Sequence, residues 1–89
     1  MLKDVIQARA LDGYRVWIRF EDGREGVVDL QPHLKFREVF APLKDPSYFG
    51  QLHVDANLGT IIWPNGADFD PDVLYSIITG IPILLEPAG

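Results

Sequence analysis

Residues 60–75 read Thr60-Ile-Ile-Trp-Pro-Asn-Gly-Ala-Asp-Phe-Asp-Pro-Asp-Val-Leu-Tyr75 and encode a strand, a tight turn and a helix start in one continuous stretch. β-branched and aromatic residues open the stretch and predict a strand. Pro64 offers no N–H to a sheet, so the strand is expected to end there or to lie at an edge. Asn65 and Gly66 both tolerate positive φ, which suits a tight turn directly after the strand.

The second half of this stretch predicts a helix over residues 71–79. Asp70 can cap the free N–H groups of the first turn, and Pro71 suits the first helical position. Asp72 adds negative charge near the positive end of the helix dipole. Gly80 followed by Pro82 predicts the end of the helix. A hydrophobic staple is expected between Phe69 and Leu74, and an apolar stripe is formed by Val73, Leu74, Ile77 and Ile78.

The first 30 residues predict a three-stranded antiparallel meander. The strands are expected at Lys3 to Leu11, Tyr14 to Phe20 and Arg24 to Leu30, separated by Asp12-Gly13 and Asp22-Gly23 turns. The alternation of apolar and polar residues assigns each side chain to a face. In the first strand, one side holds Ile6, Ala8 and Ala10, and the other side holds Val5, Gln7 and Arg9. In the next two strands, the residues expected to face the core are Tyr14, Val16, Ile18, Phe20, Val28 and Leu30. Those expected to face outward are Arg15, Trp17 and Arg19.

Residues 31–50 predict short helical turns. Phe36, Val39 and Phe40 have helical spacing before Pro42, and Asp45-Pro46 resembles a cap followed by a first helical residue. A second hairpin is expected over residues 51–63, with a strand from Gln51 to Ala56 whose core side holds Leu52, Val54 and Ala56. Residues 80–89 form a tail, in which Ile81 to Leu85 could be a short extra strand.

These elements define a single α+β domain over residues 1–89: an antiparallel meander, a second hairpin, short helices and one C-terminal helix packed on the sheet. The chain has 89 residues, 47% of them hydrophobic, which is enough for one modest core. It contains no cysteine, so disulfides and thiolate metal sites are excluded. No run of residues is long and apolar enough to span a membrane, and a cytoplasmic location is expected.

A formal net charge of −5 weighs against direct nucleic-acid binding, which usually needs a basic face. An acidic domain is better matched to a small basic protein partner. A homodimer is a further alternative, because exposed strand edges favour self-pairing.

Three quoted segments resemble the small bacterial family catalogued as domain of unknown function 2442. They are Val39-Phe-Ala-Pro-Leu-Lys-Asp-Pro-Ser-Tyr-Phe49, Val54-Asp55 and Gly59 to Tyr75. The resemblance implies an antiparallel sheet with short helices and no established activity. It also implies a place in two-gene arrangements suggestive of toxin–antitoxin pairs. Some members carry a helix-turn-helix domain after this module, for which too few residues follow Tyr75, so a self-contained repressor role is not expected.

The alternating carboxylates Asp68, Asp70 and Asp72 invite a metal-site hypothesis. An EF-hand loop beginning at Asp68 would require Gly and Glu at positions that hold Val73 and Thr79, so turn formation and helix capping explain the pattern better. His33 and His53 are expected at the surface. No phosphate loop, nucleotide fingerprint or nucleophile elbow is present, and we expect no cofactor and no enzyme activity.

The candidate protein-binding residues are Arg15, Trp17 and Arg19 on the outward face of the first hairpin, since tryptophan and arginine are favoured at interface hot spots. Acidic residues near the C-terminal helix are a second candidate surface. A structural role is expected for Trp63, Pro64, Asn65, Gly66, Asp68, Asp70, Pro71, Asp72 and Tyr75. The leading hypothesis is a non-enzymatic protein-binding module, either antitoxin-like or an adaptor. The alternatives are a small metal-dependent enzyme using the aspartate cluster and a weak nucleic-acid-binding domain.

Overall fold

The computed structural model describes residues 3–34 and 36–80, and within them the chain forms two antiparallel sheets and two α-helices. The predicted α+β class is confirmed. The first sheet contains β1 (Val5–Ala10), β2 (Arg15–Phe20) and β3 (Glu25–Asp29) in that order. The second contains β4 (His53–Asp55) and β5 (Thr60–Ile62). The helices are α1 (Pro46–Phe49) and α2 (Pro71–Thr79).

The meander buries one face because its apolar residues alternate with polar ones. Val16, Ile18 and Phe20 of β2 have no exposed surface, and Val28 of β3 is 2% exposed. Gly23 adopts a φ of 89° in the turn between β2 and β3, which explains the glycine after Asp22. The predicted core side of β2 and β3 is therefore correct.

The predicted grouping of side chains in β1 is wrong at its start. A bulge between Val5 and Gln7 interrupts the pairing of β1 with β2. An extra residue in one strand shifts the alternation of side chains on either side of it. As a result Val5 enters the core at 2% exposure, on the side of Ala8 and Ala10, while Ile6, which was grouped with those two alanines, is 49% exposed.

The segment between the sheets is built from tight helical turns. Two 3₁₀ helices, Gln31–His33 and Glu38–Lys44, precede α1. Pro42 lies within the second of them. The sequence predicted that the helical turns end at Pro42, and this prediction is wrong. The side chain of Asp45 accepts a hydrogen bond from the Ser47 N–H at 2.9 Å and so caps α1 as predicted.

The second hairpin is shorter than predicted. β4 spans three residues, and Ala56, which was expected on its core side, is exposed in the turn that follows. The side chain of Asp55 accepts the N–H groups of Asn57 and Leu58 at 2.8 and 3.0 Å and fixes this turn. The hairpin packs beside β1, where the Val5 N–H donates to the Gly59 carbonyl at 2.9 Å.

Helix α2 has the bounds and caps that the sequence predicts. Asp70 accepts a hydrogen bond from the Asp72 N–H at 2.9 Å, and Gly80 ends the helix with a φ of 74°. The helix packs on β3, where a β-carbon on Gly26 would lie 2.8 Å from Cγ2 of Ile78. Of the predicted apolar stripe, Leu74 is fully buried and Ile77 is 36% exposed.

The core joins both sheets and both helices through a single cluster, whose largest fully buried members are Trp63, Phe20, Phe49, Ile18, Leu30 and Leu43. No helix among the residues described is long and apolar enough to cross a membrane. The strand proposed for residues 81–85 lies outside the part of the chain that the structure describes.

Candidate functional site

The outward face of the meander carries an apolar and cationic row across all three strands. The register places Arg9 opposite Trp17, and Trp17 opposite Val27. Val27 is 50% exposed, Trp17 is half-buried, and Arg9 is exposed. Together with Leu11 these residues line a shallow depression of about 440 Å³. We call Arg9, Trp17 and Val27 the central row.

The two other predicted binding residues flank this row. Arg15 is paired in the sheet with Asp29, and Arg19 with Glu25. Trp17 donates its indole N–H to the Glu25 carboxylate at 3.2 Å, and the guanidinium of Arg19 lies 3.9 Å from the same carboxylate. The sheet therefore brings Arg15, Trp17 and Arg19 onto one face, with an acidic residue close to each arginine.

Arg15 is already bound within the molecule. Its guanidinium donates a hydrogen bond to the Asp12 carboxylate three residues earlier. This hydrogen bond, and then the charge of Arg15, holds the pKa of the Asp12 carboxyl below its ordinary value. The same two effects raise the pKa of Arg15. Because both groups are exposed to water, the pair contributes little to stability and mainly offsets the charge of Arg15.

Arg9 differs from its two neighbours. Among the residues that the structure describes, no carboxylate lies within ion-pair distance of its guanidinium. The sequence grouped Arg9 with Val5 and Gln7 on one side of its strand but did not single it out. Only the pairing register shows that it lies beside Trp17. Arg15 and Arg19 each have a carboxylate within ion-pair distance, so among the described residues Arg9 is the arginine of this face whose charge is available to another molecule.

The segment from Trp63 to Ala67 forms hydrogen bonds that hold the fold together. Trp63 is fully buried, and its indole N–H donates to the Phe49 carbonyl at 3.0 Å. Asn65 donates to the Val39 carbonyl at 2.7 Å and accepts the Ala67 N–H at 3.1 Å. Pro64 and Gly66 form the turn between these contacts, in which the Gly66 N–H donates to the Trp63 carbonyl at 2.9 Å. This turn therefore connects the second hairpin to both α1 and the 3₁₀ helix before it.

The contact of Tyr75 connects α2 to the first hairpin. Its hydroxyl donates to the Asp22 carboxylate at 2.6 Å across 53 positions of the sequence. This hydrogen bond is the largest cause that lowers the pKa of Asp22 and raises the pKa of Tyr75. The ring of Tyr75 also packs edge-on against Phe20, with the ring centres 4.9 Å apart.

The aspartate cluster has no metal-site geometry. Asp70 uses its carboxylate to cap α2, and Asp68 lies exposed in the segment that bridges back to Ile62. Within residues 3–34 and 36–80, no group of three or more His, Asp or Glu side chains is placed to hold a metal ion. The two histidines, His33 and His53, are exposed.

A second depression, which sequence reasoning did not identify, lies beside the 3₁₀ helices and measures about 380 Å³. It is lined by His33, Leu34, Arg37, Glu38, Phe40 and Phe69. Glu38 has a φ of 53°, a left-handed conformation that is rarely adopted by residues other than glycine, asparagine and aspartate. No sequence signal marks this position, because the depression forms between segments that are distant in the chain.

Fold and face together define a small α+β module that presents an aromatic and arginine-bearing sheet face. The chain belongs to the DUF2442 family, described as proteins of unknown function, whose model matches residues 5–80. The predicted family is thus confirmed. No curated protein matches the chain significantly.

One solved structure with the same fold comes from Nitrosomonas europaea and is described as a "Putative DNA Binding Protein". It superimposes with a TM-score of 0.76 and 24% sequence identity, over 90% of this chain. The present chain spans about half of that protein, 51% of its length. At this identity the likeness establishes the fold alone.

Proposed function

We propose that this protein is a non-enzymatic protein-binding module of the cytoplasm, and that it binds through the outward face of the meander. The observation that carries this proposal is the central row, in which a half-buried tryptophan lies between an exposed valine and an arginine that has no carboxylate within ion-pair distance in the described part of the chain. Tryptophan and arginine are the residues that binding hot spots favour, and here they lie side by side on a sheet.

The arrangement of charges supports a hot spot at the centre and a weaker rim. Arg15 and Arg19 already have acidic neighbours, so replacing those contacts by contacts with a partner changes the free energy little. Arg9 has no such neighbour within residues 3–34 and 36–80 and can pair with a carboxylate of the partner. An interface centred on Trp17 therefore gains most from the burial of Trp17 and Val27 and from the charge of Arg9.

We further propose a small basic protein as the partner, with this chain as the antitoxin-like or adaptor half of a two-gene system. The net charge of −5 favours fast encounter with a positively charged molecule. On the outward face itself, the charges of Arg9, Arg15 and Arg19 are balanced by Asp12, Glu25 and Asp29. The net charge of the protein thus attracts a basic partner at long range, while the side chains of the central row determine which partner binds.

The experiment is affinity purification of the tagged protein from its host at moderate salt, with mass spectrometry of the co-purifying proteins. A single small basic protein at near-equal yield supports the proposal, and Trp17→Ala is expected to reduce that yield strongly, while Arg19→Ala reduces it only slightly because Arg19 already has Glu25 as a neighbour. Leu58→Ala is the matched control, because Leu58 is 55% exposed and lies in the turn of the other hairpin. A yield that Trp17→Ala leaves unchanged would contradict this face as the binding surface.

Direct nucleic-acid binding is the second candidate function. It is favoured by the name of the Nitrosomonas europaea neighbour and by three arginines on one face. Because Arg15 and Arg19 already have acidic neighbours, few counterions would be released on binding, so the expected affinity is low and its dependence on salt is weaker than that of a fully basic face. Gel shifts at a series of salt concentrations separate the two candidates, and a shift that disappears with Arg9→Ala would favour nucleic acid.

A further inference from the structure

The outer edge of the first sheet is an open strand. In the described part of the chain, β3 pairs only with β2. The Leu30 N–H donates to the Tyr14 carbonyl and the Phe20 N–H to the Arg24 carbonyl, both in the same register as the ladder. In an antiparallel ladder, hydrogen-bonded pairs alternate with pairs that are not hydrogen-bonded. The backbone N–H and C=O groups of the even-numbered residues of β3 therefore point toward β2.

The odd-numbered residues Glu25, Val27 and Asp29 therefore direct their backbone N–H and C=O groups away from β2. None of these groups makes a backbone hydrogen bond within residues 3–34 and 36–80. Helix α2 packs on the opposite, core-facing side of β3, against Gly26. As far as the described residues go, the edge thus offers a row of unmade backbone hydrogen bonds, which is a template for an added strand.

The side chains at this edge determine which strand fits it. Glu25, Val27 and Asp29 lie on the outward face, with an exposed valine between two exposed acids. If two copies of β3 paired antiparallel through all three residues, Val27 would face its own copy and Glu25 would face Asp29. Like charges directly opposite each other destabilise a sheet, so the pattern opposes pairing between copies.

We propose that the edge of β3 receives an extended segment of a basic protein as a fourth strand of the meander. This inference rests on the proposed protein-binding function and names its mode. The fitting segment has a basic residue, an apolar residue and a basic residue at alternate positions. The basic side chains then lie opposite Glu25 and Asp29, and the apolar side chain extends the central row beyond Val27.

The proposal also accounts for the geometry of the central row. The register places Arg9, Trp17 and Val27 at the same level on three neighbouring strands, and Val27 is the outermost. A fourth strand would cover the open side of Val27, whose side chain is 50% exposed. Main-chain hydrogen bonds would provide affinity, while the two acids would select against neutral or acidic segments.

The test uses a synthetic heptapeptide, acetyl-Thr-Lys-Thr-Val-Thr-Lys-Thr-amide, titrated into the full-length protein at low salt and followed by NMR. Its two lysines and its valine share one face of a strand. A matched peptide carries glutamate in place of both lysines. We expect the lysine peptide to shift the amide signals of residues 25–29 and to slow hydrogen exchange at Val27, and the glutamate peptide to do neither.

Val27→Pro is the decisive variant, because it removes an N–H that points outward and proline is tolerated on edge strands. We expect it to weaken binding about tenfold or more, while Val27→Ala, which keeps the N–H, weakens it less. If Val27→Pro does not fold, Glu25→Gln with Asp29→Asn removes the charges and keeps the shape. The double variant is expected to bind the lysine peptide less tightly than the wild type does, and its affinity should depend less on the salt concentration.

The outcomes separate this inference from the proposed function. Slow exchange of the Val27 amide in the unbound protein overturns the inference, since the edge would then already be paired. Equal binding of both peptides, or of Val27→Pro and the wild type, also overturns it. If Trp17→Ala abolishes capture of the native partner while Val27→Pro leaves it intact, the face binds but not by strand addition. If both variants leave capture intact, the proposed function fails as well.

Discussion

Trp63 donates its indole N–H to the carbonyl oxygen of Phe49 at 3.0 Å, and the two rings pack with their centres 5.7 Å apart. Both residues are buried in the main core, so the Phe49 carbonyl has no water to replace this donor. One side chain thus anchors the second hairpin to α1 through apolar contact and a hydrogen bond at once. Trp63, which lies in the segment that resembles the family, is therefore a core residue.

Trp63→Phe is expected to lower the free energy of unfolding by about 2–4 kcal/mol, since it leaves a cavity and removes the shorter of the two hydrogen bonds to the Phe49 carbonyl, which keeps only the Leu52 N–H at 3.3 Å. Urea denaturation followed by circular dichroism measures the loss. Trp17→Phe serves as the control, because Trp17 is half-buried and its N–H bonds to a carboxylate at the surface. Equal losses in the two variants would contradict the structural role assigned to Trp63.

Asn65→Ala is expected to destabilise the protein by about 1–2 kcal/mol, because it removes hydrogen bonds to Val39 and from Ala67. The loss should be local: hydrogen exchange is expected to rise most in the 3₁₀ helix Glu38–Lys44, which Asn65 holds. Asn57→Ala is the matched control, since Asn57 contributes to its turn through the backbone N–H that it donates to Asp55, which alanine retains. Uniformly faster exchange across all strands would show that Asn65 does not hold this segment in particular.

The contrast between predicted and observed contacts follows from the range of the interactions. Helix α2 was predictable to the residue, because its caps at Asp70 and Gly80 are local. The grouping of Ile6 with Ala8 and Ala10 on one side of β1 was wrong, because no residue type marks the bulge that exposes Ile6. The contact of Asn65 with Val39 spans 26 positions, and no pattern in the sequence connects them.

The candidate binding face was predictable only in part, for the same reason. Alternation along one strand is local, so Arg15, Trp17 and Arg19 could be assigned to a common face. Their electrostatic state depends on the neighbouring strand and turn, where Glu25 and Asp12 lie. The importance of Arg9 depends on the register between β1 and β2 and on the absence of an acidic neighbour in the described residues.

Gly26→Ala tests the packing of α2 on the sheet. The added carbon would lie 2.8 Å from Cγ2 of Ile78, which is closer than carbon atoms pack, so we expect a loss of about 1–3 kcal/mol. Ile78→Ala removes the obstructing atoms. In that background Gly26→Ala should be neutral or stabilising, because alanine restricts the unfolded chain more than glycine does. A double-mutant cycle by urea denaturation measures the coupling, and additive effects would place α2 elsewhere.

Tyr75→Phe is expected to change how stability depends on pH. The folded-state pKa of Asp22 lies below its ordinary value of 3.8, so its contribution is present above that pH and is lost as the pH falls through the folded pKa. The folded-state pKa of Tyr75 lies above its ordinary value of 10.0, so its contribution is present below that pH and is lost as the pH rises through the folded pKa. The variant loses the Tyr75 contribution and the largest part of the Asp22 contribution, of which the backbone hydrogen bond from Arg24 and the charge of Arg24 keep the rest.

The difference in melting temperature between wild type and Tyr75→Phe should therefore be greatest between about pH 5 and pH 9 and should shrink on either side. Tyr48→Phe is the control, since no hydrogen bond of the Tyr48 hydroxyl occurs among the described residues. A difference that stays constant from acid to alkaline pH would mean that the bond to Asp22 does not form in solution.

Arg9→Ala is expected to weaken binding of the native partner more than Arg15→Ala does. Arg15 is paired with Asp12 before the partner arrives, so its guanidinium is already engaged, and its replacement removes little that a carboxylate of the partner could have used. Arg9 has no carboxylate partner in the described part of the chain and lies beside Trp17, where a carboxylate of the partner would be shielded from water. We expect a loss of about fivefold to a hundredfold for Arg9→Ala and less than about threefold for Arg15→Ala.

Isothermal titration with the co-purified partner measures both, and unchanged melting temperatures confirm that each variant is folded. Similar losses would show that the Asp12 pair opens on binding, in which case Asp12→Asn should raise the affinity.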